Sequence, residues 1–154
     1  MSERLVQIAR TVAARREIWT PHYDPAADQR TYASLHRDAD LDVWAIFWLP
    51  ENDTGWHDHD TSSGAVHVVS GALEEHELIH GGPDRRRTHP AGTTFTFGPS
   101  DIHRVTCEVP RAVSIHVYSP PLWRLGQYSV DAEGRLHRQS VSYADELRPV
   151  ETAA

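Results

Sequence analysis

The stretch GWHDHDTSSGAVHVVSGAL, residues 55–73, holds two histidines one residue apart, followed by an apolar segment between glycines. In an extended strand, side chains at positions i and i+2 point to the same face, so His57 and His59 can bind one ion together. Neutral imidazole is the commonest protein ligand for transition metals. A histidine pair of this spacing on a strand entering a turn has few structural uses, so we predict a metal site here.

The segment AVHVV at 65–69, just after that pair, has the β-branched composition of a strand. Alternation along this strand places Val66 and Val68 on one face and His67 on the other. We therefore expect His67 to point away from the ion, although it lies close to the histidine pair in sequence.

Further strands are predicted by short β-branched and aromatic runs that are separated by Gly, Pro, Asp and Ser. They are VWAIFWL at 43–49, TTFTF at 93–97 and AVSIHVY at 112–118. Many short strands spaced in this way indicate a mainly antiparallel β-barrel or sandwich. Before them, apolar residues recur at helical spacing and predict one amphipathic surface helix over about 3–17.

The composition restricts both the number of domains and the classes of function. A chain of 154 residues is long enough for one core but short for two, so we expect a single domain over 1–154, with the barrel at about 30–140 and a polar tail after it. The net charge of −7 argues against a surface for nucleic acid or for an anionic membrane. The single cysteine, the charged N-terminus and the lack of a long apolar run predict a soluble cytoplasmic protein.

A third metal ligand is predicted at His103, within GPSDIHRV at 98–105. Three histidines without a carboxylate leave a bound ion its full positive charge and open positions, which suits a metal that must bind a substrate and dioxygen together. Other histidines lack a paired spacing, and we expect them to be surface or hydrogen-bonded residues. They are His22, His76, His80, His89 and His137.

A row of polar side chains is predicted on the strand at 112–118. Ser114, His116 and Tyr118 occupy alternate positions, so they share one face and can form a hydrogen-bonded row. In such a row His116 would orient the Tyr118 hydroxyl, and Ser114 would fix the imidazole. The strand offers no carboxylate to hold the histidine as a base, so we do not expect a nucleophilic triad.

Three stretches of the chain resemble the signature regions of the cysteine dioxygenase family, the cupin-fold thiol dioxygenases. They are GWHDHDTSSGAVHVVSGAL at 55–73, FGPSDIHRV at 97–105 and SIHVYSPPL at 114–122. The resemblance is strong over about 32–122 and implies a cupin, or jelly-roll, antiparallel β-barrel with Fe(II) inside it, bound by His57, His59 and His103. By the same resemblance, the polar row matches the family's Ser-His-Tyr triad. The general cupin pattern has a glutamate soon after the histidine pair; here TSSG follows, as in three-histidine thiol dioxygenases.

Two positions limit what this resemblance implies. Some eukaryotic members have a cysteine that cross-links to the active-site tyrosine; the matching position here is Gly64, so no Cys–Tyr cofactor is expected. The family's anchor for the substrate carboxylate, an arginine or a glutamine, lies upstream of the histidine pair, and the match places Tyr32 there. Arg30 and Arg37 lie close by, and a guanidinium binds a carboxylate well. Because a shift of one residue in a strand reverses the face, all three stay candidates for substrate binding.

The resemblance implies a non-haem Fe(II) enzyme that converts a small thiol carboxylate and O2 into a sulfinic acid. L-cysteine is the first candidate substrate, and 3-mercaptopropionate or a related mercapto acid is the second. Two alternatives stay open: a cupin that uses Zn(II), Mn(II) or Ni(II) for a non-redox isomerisation or hydrolysis, and a metal-dependent small-molecule-binding protein. We expect no nucleic-acid or membrane partner. The sequence does not define an oligomeric state, and a monomer is compatible with it.

Overall fold

Within residues 2–142, which a computed structural model describes, two helices and a short 3-10 helix precede eleven β-strands. The helices are α1 (Ser2–Ala14) and α2 (Arg16–Trp19), and the 3-10 helix is Thr20–His22. The strands are β1 (Thr31–Arg37), β2 (Asp42–Trp48), β3 (His57–Asp58), β4 (Ser63–Ser70), β5 (Ala72–Glu77), β6 (Arg85–Pro90), β7 (Thr94–Phe97), β8 (His103–Thr106), β9 (Ala112–Ser119), β10 (Arg124–Val130) and β11 (Leu136–Ser142). Most of the predicted polar tail, from residue 143 on, lies outside the described residues.

The strands form two antiparallel sheets that face each other across a buried core. One sheet has the order β1-β2-β9-β4-β7 and the other has the order β11-β10-β3-β8-β5-β6. Sequence neighbours are therefore often separated in space, as in jelly-roll folds, where the chain crosses between sheets. The core draws side chains from both sheets, including Val66, Leu73, Val105 and Leu125. The prediction of a mainly antiparallel barrel with a short N-terminal helical region is confirmed.

The two central strands, β2 and β9, are buried along their whole length because both of their faces are covered. The inner face of β9 carries Tyr118 into the barrel core, whereas Ile115 and Val117 on the outer face pack with α1. A strand that is buried on both faces consists mostly of apolar residues rather than of alternating apolar and polar ones. This explains the nearly continuous apolar sequence at 43–49 and 112–118. The few polar residues on the inner face of β9 are therefore held inside the barrel.

The N-terminal helix is shorter than predicted. Helix α1 ends at Ala14, and Arg15 adopts a non-helical backbone (φ −92°, ψ 74°) before α2 begins. This break turns the chain so that the Trp19 indole is buried and its N–H donates to the Ala13 carbonyl at 3.1 Å. Burial of one tryptophan thus overrides the helical periodicity that the sequence continues to residue 17.

Among the described residues, no helix is both long and apolar enough to cross a membrane.

Arg37, one of the three candidates for the carboxylate anchor, lies in an ion pair within the fold. Its guanidinium contacts the carboxylate of Asp42, which is fully buried, and donates a second hydrogen bond to the Leu122 carbonyl at 2.8 Å. Burial raises the pKa of Asp42, and the positive charge of Arg37 offsets part of that effect. The pair ties the β1–β2 hairpin to the segment that follows β9.

Replacing Arg37 with methionine is expected to lower the free energy of unfolding by about 3 kcal/mol, because it leaves a buried carboxylate without its cation. The control is Arg4→Met, since the Arg4–Asp40 pair is 55% and 58% exposed and should contribute under about 1 kcal/mol. Denaturant unfolding of both variants measures the difference. Equal stability of the two variants would show that the Arg37–Asp42 pair is not a structural clamp.

Candidate metal centre

Three histidines from two strands meet inside the barrel. His57 lies on β3, His59 follows its end, and His103 opens β8, which pairs with β3 through His57 and His103. One candidate ligand atom of each imidazole lies within 4.8 Å of those of the other two. All three residues are at most 2% exposed. This is a compact set of nitrogen donors, shielded from solvent.

The protonation state of His59 suits a metal ligand. Burial, and then the neighbouring His57, lowers the pKa of His59 well below its ordinary value, so this ring is neutral near pH 7. A neutral imidazole is the form that donates a lone pair to a metal. The Nδ1 atom of His59 is buried and has no hydrogen-bond partner in the described part of the chain. The residues therefore fit a transition metal with imidazole ligands.

Asp58, between the two histidines of the pair, holds β3 in place. Its carboxylate accepts hydrogen bonds from Arg138 of β11, from the Tyr128 hydroxyl of β10 and from the Gly126 backbone N–H. Burial raises the pKa of Asp58, but the hydrogen bonds from Arg138 and Tyr128 outweigh that effect and lower it to about 2. The sequence reasoning missed this residue, although strand alternation predicts that it faces away from the two histidines.

Glu75 of β5 reaches one of the three histidines and was also missed. Its Oε2 atom lies 2.8 Å from His103 Nδ1, and its Oε1 atom lies 3.1 Å from His89 Nε2. Burial raises the pKa of Glu75, but the hydrogen bonds from these two imidazoles outweigh that effect and lower it to about 2. The sequence of β5, ALEEHE at 72–77, could have indicated this position. Alternation along the strand places Glu75 on the same face as the core residue Leu73, so its side chain points into the barrel.

The polar row on β9 continues to a tryptophan. The Trp48 indole N–H donates to Ser114 Oγ at 2.8 Å, Ser114 Oγ lies 2.8 Å from His116 Nε2, and His116 Nδ1 lies 3.0 Å from the Tyr118 hydroxyl. An indole can only donate, so the Ser114 hydrogen is available for His116 Nε2. His116 then carries its proton on Nδ1 and donates it to the Tyr118 oxygen. This arrangement lets the Tyr118 hydroxyl donate its own hydrogen into the cavity.

A narrow cavity connects the three histidines to this row. Its volume is about 10 Å³, enough for one water-sized body. Arg30 lines it, is 3% exposed, and lies with its guanidinium 5.2 Å from the centre of the Trp48 ring. Tyr32 instead is 38% exposed and packs on Trp44, and Arg37 pairs with Asp42 as described above. Of the three candidate anchors, the structure brings only Arg30 to the cavity.

Apart from His116 of the row, the other described histidines do not line the cavity. His67 faces the helix side of β4 and contacts the Thr94 hydroxyl at 2.8 Å, as alternation along the strand leads us to expect. His76 forms ion pairs with Glu74 and Asp84 on the outer face of its sheet. His89 was expected to be a surface or hydrogen-bonded residue, and it is indeed hydrogen-bonded. Its partner is Glu75, which in turn contacts His103, so His89 is connected to the site through Glu75.

Phe97 is a further residue of the site that the sequence reasoning missed. Its ring stacks on His59, with centroids 4.2 Å apart, and lies 4.6 Å from that of His103. Gly64 makes room for it, because a Cβ atom added at this position would lie 2.3 Å from the Phe97 ring. Gly64 also pairs with Tyr118 across β4 and β9. The phenyl ring thus occupies the space beside the position that the family resemblance matches to a cross-linking cysteine.

Replacing Gly64 with alanine is expected to push the Phe97 ring against His59, lowering the free energy of unfolding by about 1–3 kcal/mol and weakening metal binding at the three histidines. Gly82→Ala is the control, since its Cβ would meet nothing nearer than 4.0 Å. Denaturant unfolding and metal analysis measure both effects. Adding Phe97→Leu to Gly64→Ala should recover part of the stability; a Gly64 variant as stable as the Gly82 variant would contradict the clash.

The sequence model of the family described as cysteine dioxygenase type I matches residues 5–131. The chain belongs to this family. The match covers α1 from Leu5 onward, all of α2, the three histidines, Arg30 and the row on β9. No curated protein sequence matches the chain.

Several solved structures share the fold of this chain at low sequence identity. A protein of Klebsiella pneumoniae with a double-stranded β-helix domain has a TM-score of 0.56 at 14% identity, covering 77% of this chain and 90% of that one. A cupin superfamily protein of Desulfitobacterium hafniense has a TM-score of 0.56 at 7% identity, covering 66% and 87%. KdgF from Halomonas sp. has a TM-score of 0.54 at 19% identity, covering 67% and 93%. These similarities show a cupin fold.

Proposed function

We propose that the protein is a non-haem Fe(II) dioxygenase that converts a small thiol carboxylate into its sulfinic acid. The observation that carries this proposal is the cluster of three buried histidines beside Arg30 and Tyr118, to which residues 2–142 add no carboxylate ligand. Bound iron would supply coordination positions for the thiolate and for dioxygen, together with the redox chemistry that joins them. The overall reaction balances, since one thiol and one O2 give one sulfinic acid without an external reductant.

Arg30 would bind the carboxylate of the substrate. Its guanidinium is planar and offers donors in a fixed geometry that matches both oxygens of a carboxylate. Because Arg30 is buried, such a hydrogen bond is screened little by water. The Trp48 ring beneath the guanidinium limits its movement, so the substrate carboxylate would be held at one end of the cavity and its thiol at the histidines.

Tyr118 would act on the reacting oxygen atoms at the other end of the cavity. Its hydroxyl, oriented by His116 and Ser114, can donate a hydrogen bond to an oxygen on which negative charge develops. The narrow cavity favours small substrates, and entry of a thiol requires the lining side chains to move apart. We propose L-cysteine as the first substrate to test and 3-mercaptopropionate as the second. The cytoplasmic location of the protein stays a prediction.

The function is tested by oxygen consumption after anaerobic loading with Fe(II). We expect O2 uptake with cysteine or 3-mercaptopropionate, with one sulfinic acid formed for each O2 consumed. The panel includes mercaptosuccinate and cysteamine, which vary the carboxylate. If the iron-loaded protein consumes no O2 with any of these thiols, the dioxygenase proposal is wrong, and a non-redox reaction with Zn(II), Mn(II) or Ni(II) becomes the better hypothesis.

Replacing Arg30 with glutamine is expected to raise KM for carboxylate thiols about ten- to a hundredfold, because a charge-assisted hydrogen bond contributes about 1.5–3 kcal/mol. Cysteamine, which has no carboxylate, should respond little to the same change. Arg4→Gln is the control, since Arg4 forms an exposed ion pair with Asp40 and does not line the cavity. Steady-state kinetics with both thiols measure the difference. If Arg30→Gln raises KM for cysteine no more than it raises KM for cysteamine, the carboxylate anchor lies elsewhere.

A further inference from the structure

The three candidate metal ligands differ in what lies behind them. His57 Nδ1 contacts the Gly55 carbonyl oxygen at 2.9 Å, and His103 Nδ1 contacts the Glu75 carboxylate at 2.8 Å. The buried Nδ1 of His59 has no hydrogen-bond partner within residues 2–142. The three rings are therefore chemically unequal, because the contact of His103 is with a charged acceptor whereas the contact of His57 given above is with a neutral carbonyl.

Glu75 is itself held between two imidazoles. It is 7% exposed, and its second oxygen lies 3.1 Å from His89 Nε2. The His89 ring stacks on Phe95, with centroids 4.1 Å apart and planes 20° from parallel. Both oxygens of the carboxylate thus have a histidine partner, and the stacked His89 ring limits the rotation of Glu75 away from His103.

We propose that Glu75 is a positioning residue that fixes His103 for metal binding and strengthens the attraction of the centre for a divalent cation. This inference rests on the proposed function, since it takes the three histidines as the metal site. A carboxylate at Nδ1 holds the proton there, which leaves Nε2 of His103 for the ion, and it increases the basicity of the ring. It also supplies one negative charge close to a centre whose own ligands are neutral.

Glu77, two residues after Glu75 on the same strand, provides a control for the effect of negative charge. Glu77 lies directly opposite His103 in the β5–β8 ladder, but its carboxylate pairs with Arg85 at 3.4 Å. It has the same charge as Glu75, belongs to the same strand, and makes no described contact with the His103 ring. A general effect of negative charge on this strand would involve both residues, whereas a direct contact with the ligand involves Glu75 alone.

The test is the affinity for Fe(II), measured by anaerobic competition with a chromogenic chelator for wild type, Glu75→Gln and Glu77→Gln. Glutamine keeps the size of Glu75 and one acceptor oxygen, but it removes the charge. We expect the Glu75 variant to bind Fe(II) about ten- to a hundredfold more weakly, and the Glu77 variant to stay close to wild type. Unfolding of the metal-free proteins shows whether the folds are equally stable.

A second variant keeps the test decisive if Glu75→Gln fails to fold. His89→Phe preserves a ring that can stack on Phe95 and removes only the partner of the outer Glu75 oxygen, so we expect a smaller loss of affinity, about threefold to tenfold. Affinities within twofold of wild type for the folded variants, or an equal loss in Glu77→Gln, would overturn the role of Glu75. A wild-type chain that binds no Fe(II) would overturn the proposed function together with this inference.

Discussion

Replacing His103 with alanine is expected to abolish iron binding and, with it, all thiol-dependent oxygen consumption. Two remaining imidazoles are too few to keep a labile Fe(II) ion, and the loss of the ring also leaves the Glu75 carboxylate without one of its two partners. His57→Ala and His59→Ala should give the same result. Metal analysis of anaerobically loaded protein should show about one iron per chain for wild type and almost none for these variants.

His67→Ala is the control for these variants, because His67 belongs to β4, close to the pair in sequence, but contacts Thr94 on the helix side. It should retain iron in full. Retention of iron by the His103 variant would exclude this residue as a ligand. Loss of iron from the His67 variant without loss of stability would point instead to a different set of ligands.

Tyr118→Phe is expected to lower kcat by about tenfold to a thousandfold while the iron content stays normal. The substitution keeps the ring and deletes only the hydroxyl that would donate to the reacting oxygen, and loss of one such donor has an effect of this order. His116→Ala should reduce kcat as much or more, because it removes the partner that orients the hydroxyl. Single-turnover oxygen consumption and metal analysis measure the two quantities separately.

The matched control for the tyrosine variant is Tyr23→Phe, since Tyr23 is 38% exposed and is not one of the residues that line the cavity. Its kcat should equal that of wild type. An unchanged rate in Tyr118→Phe would mean that the row on β9 serves packing alone. A rate loss accompanied by loss of iron would instead assign the effect to the metal centre rather than to the hydroxyl.

Local periodicity was sufficient for the parts of this protein that belong to a single strand. The spacing of His57 and His59 put both rings on one face, and the spacing of Ser114, His116 and Tyr118 predicted the hydrogen-bonded row. These predictions depend on the alternation of side chains along an extended chain, which is a property of the backbone. The short apolar runs likewise predicted antiparallel strands.

Periodicity failed where burial of a distant side chain decided the outcome. The helix at the N-terminus stops at Ala14 because the chain turns there to bury Trp19, and nothing in the spacing of the apolar residues marks that position. The space beside Gly64 is a similar case, since it is filled by Phe97 from another strand. Both results come from packing between distant elements, and a local sequence pattern does not contain this information.

The sequence by itself determined which segments form strands, that His57 and His59 share one face, and that the polar residues of β9 form a row. These features follow from the order of residues along an extended chain. The tertiary structure alone decided which of Arg30 and Arg37 reaches the cavity and that Glu75 stands behind His103. The two arginines are alike in charge and close in sequence, so only the register of β1 and the packing around Asp42 separate them. Likewise, the Glu75–His103 contact exists only because β5 and β8 pair across 28 positions of sequence.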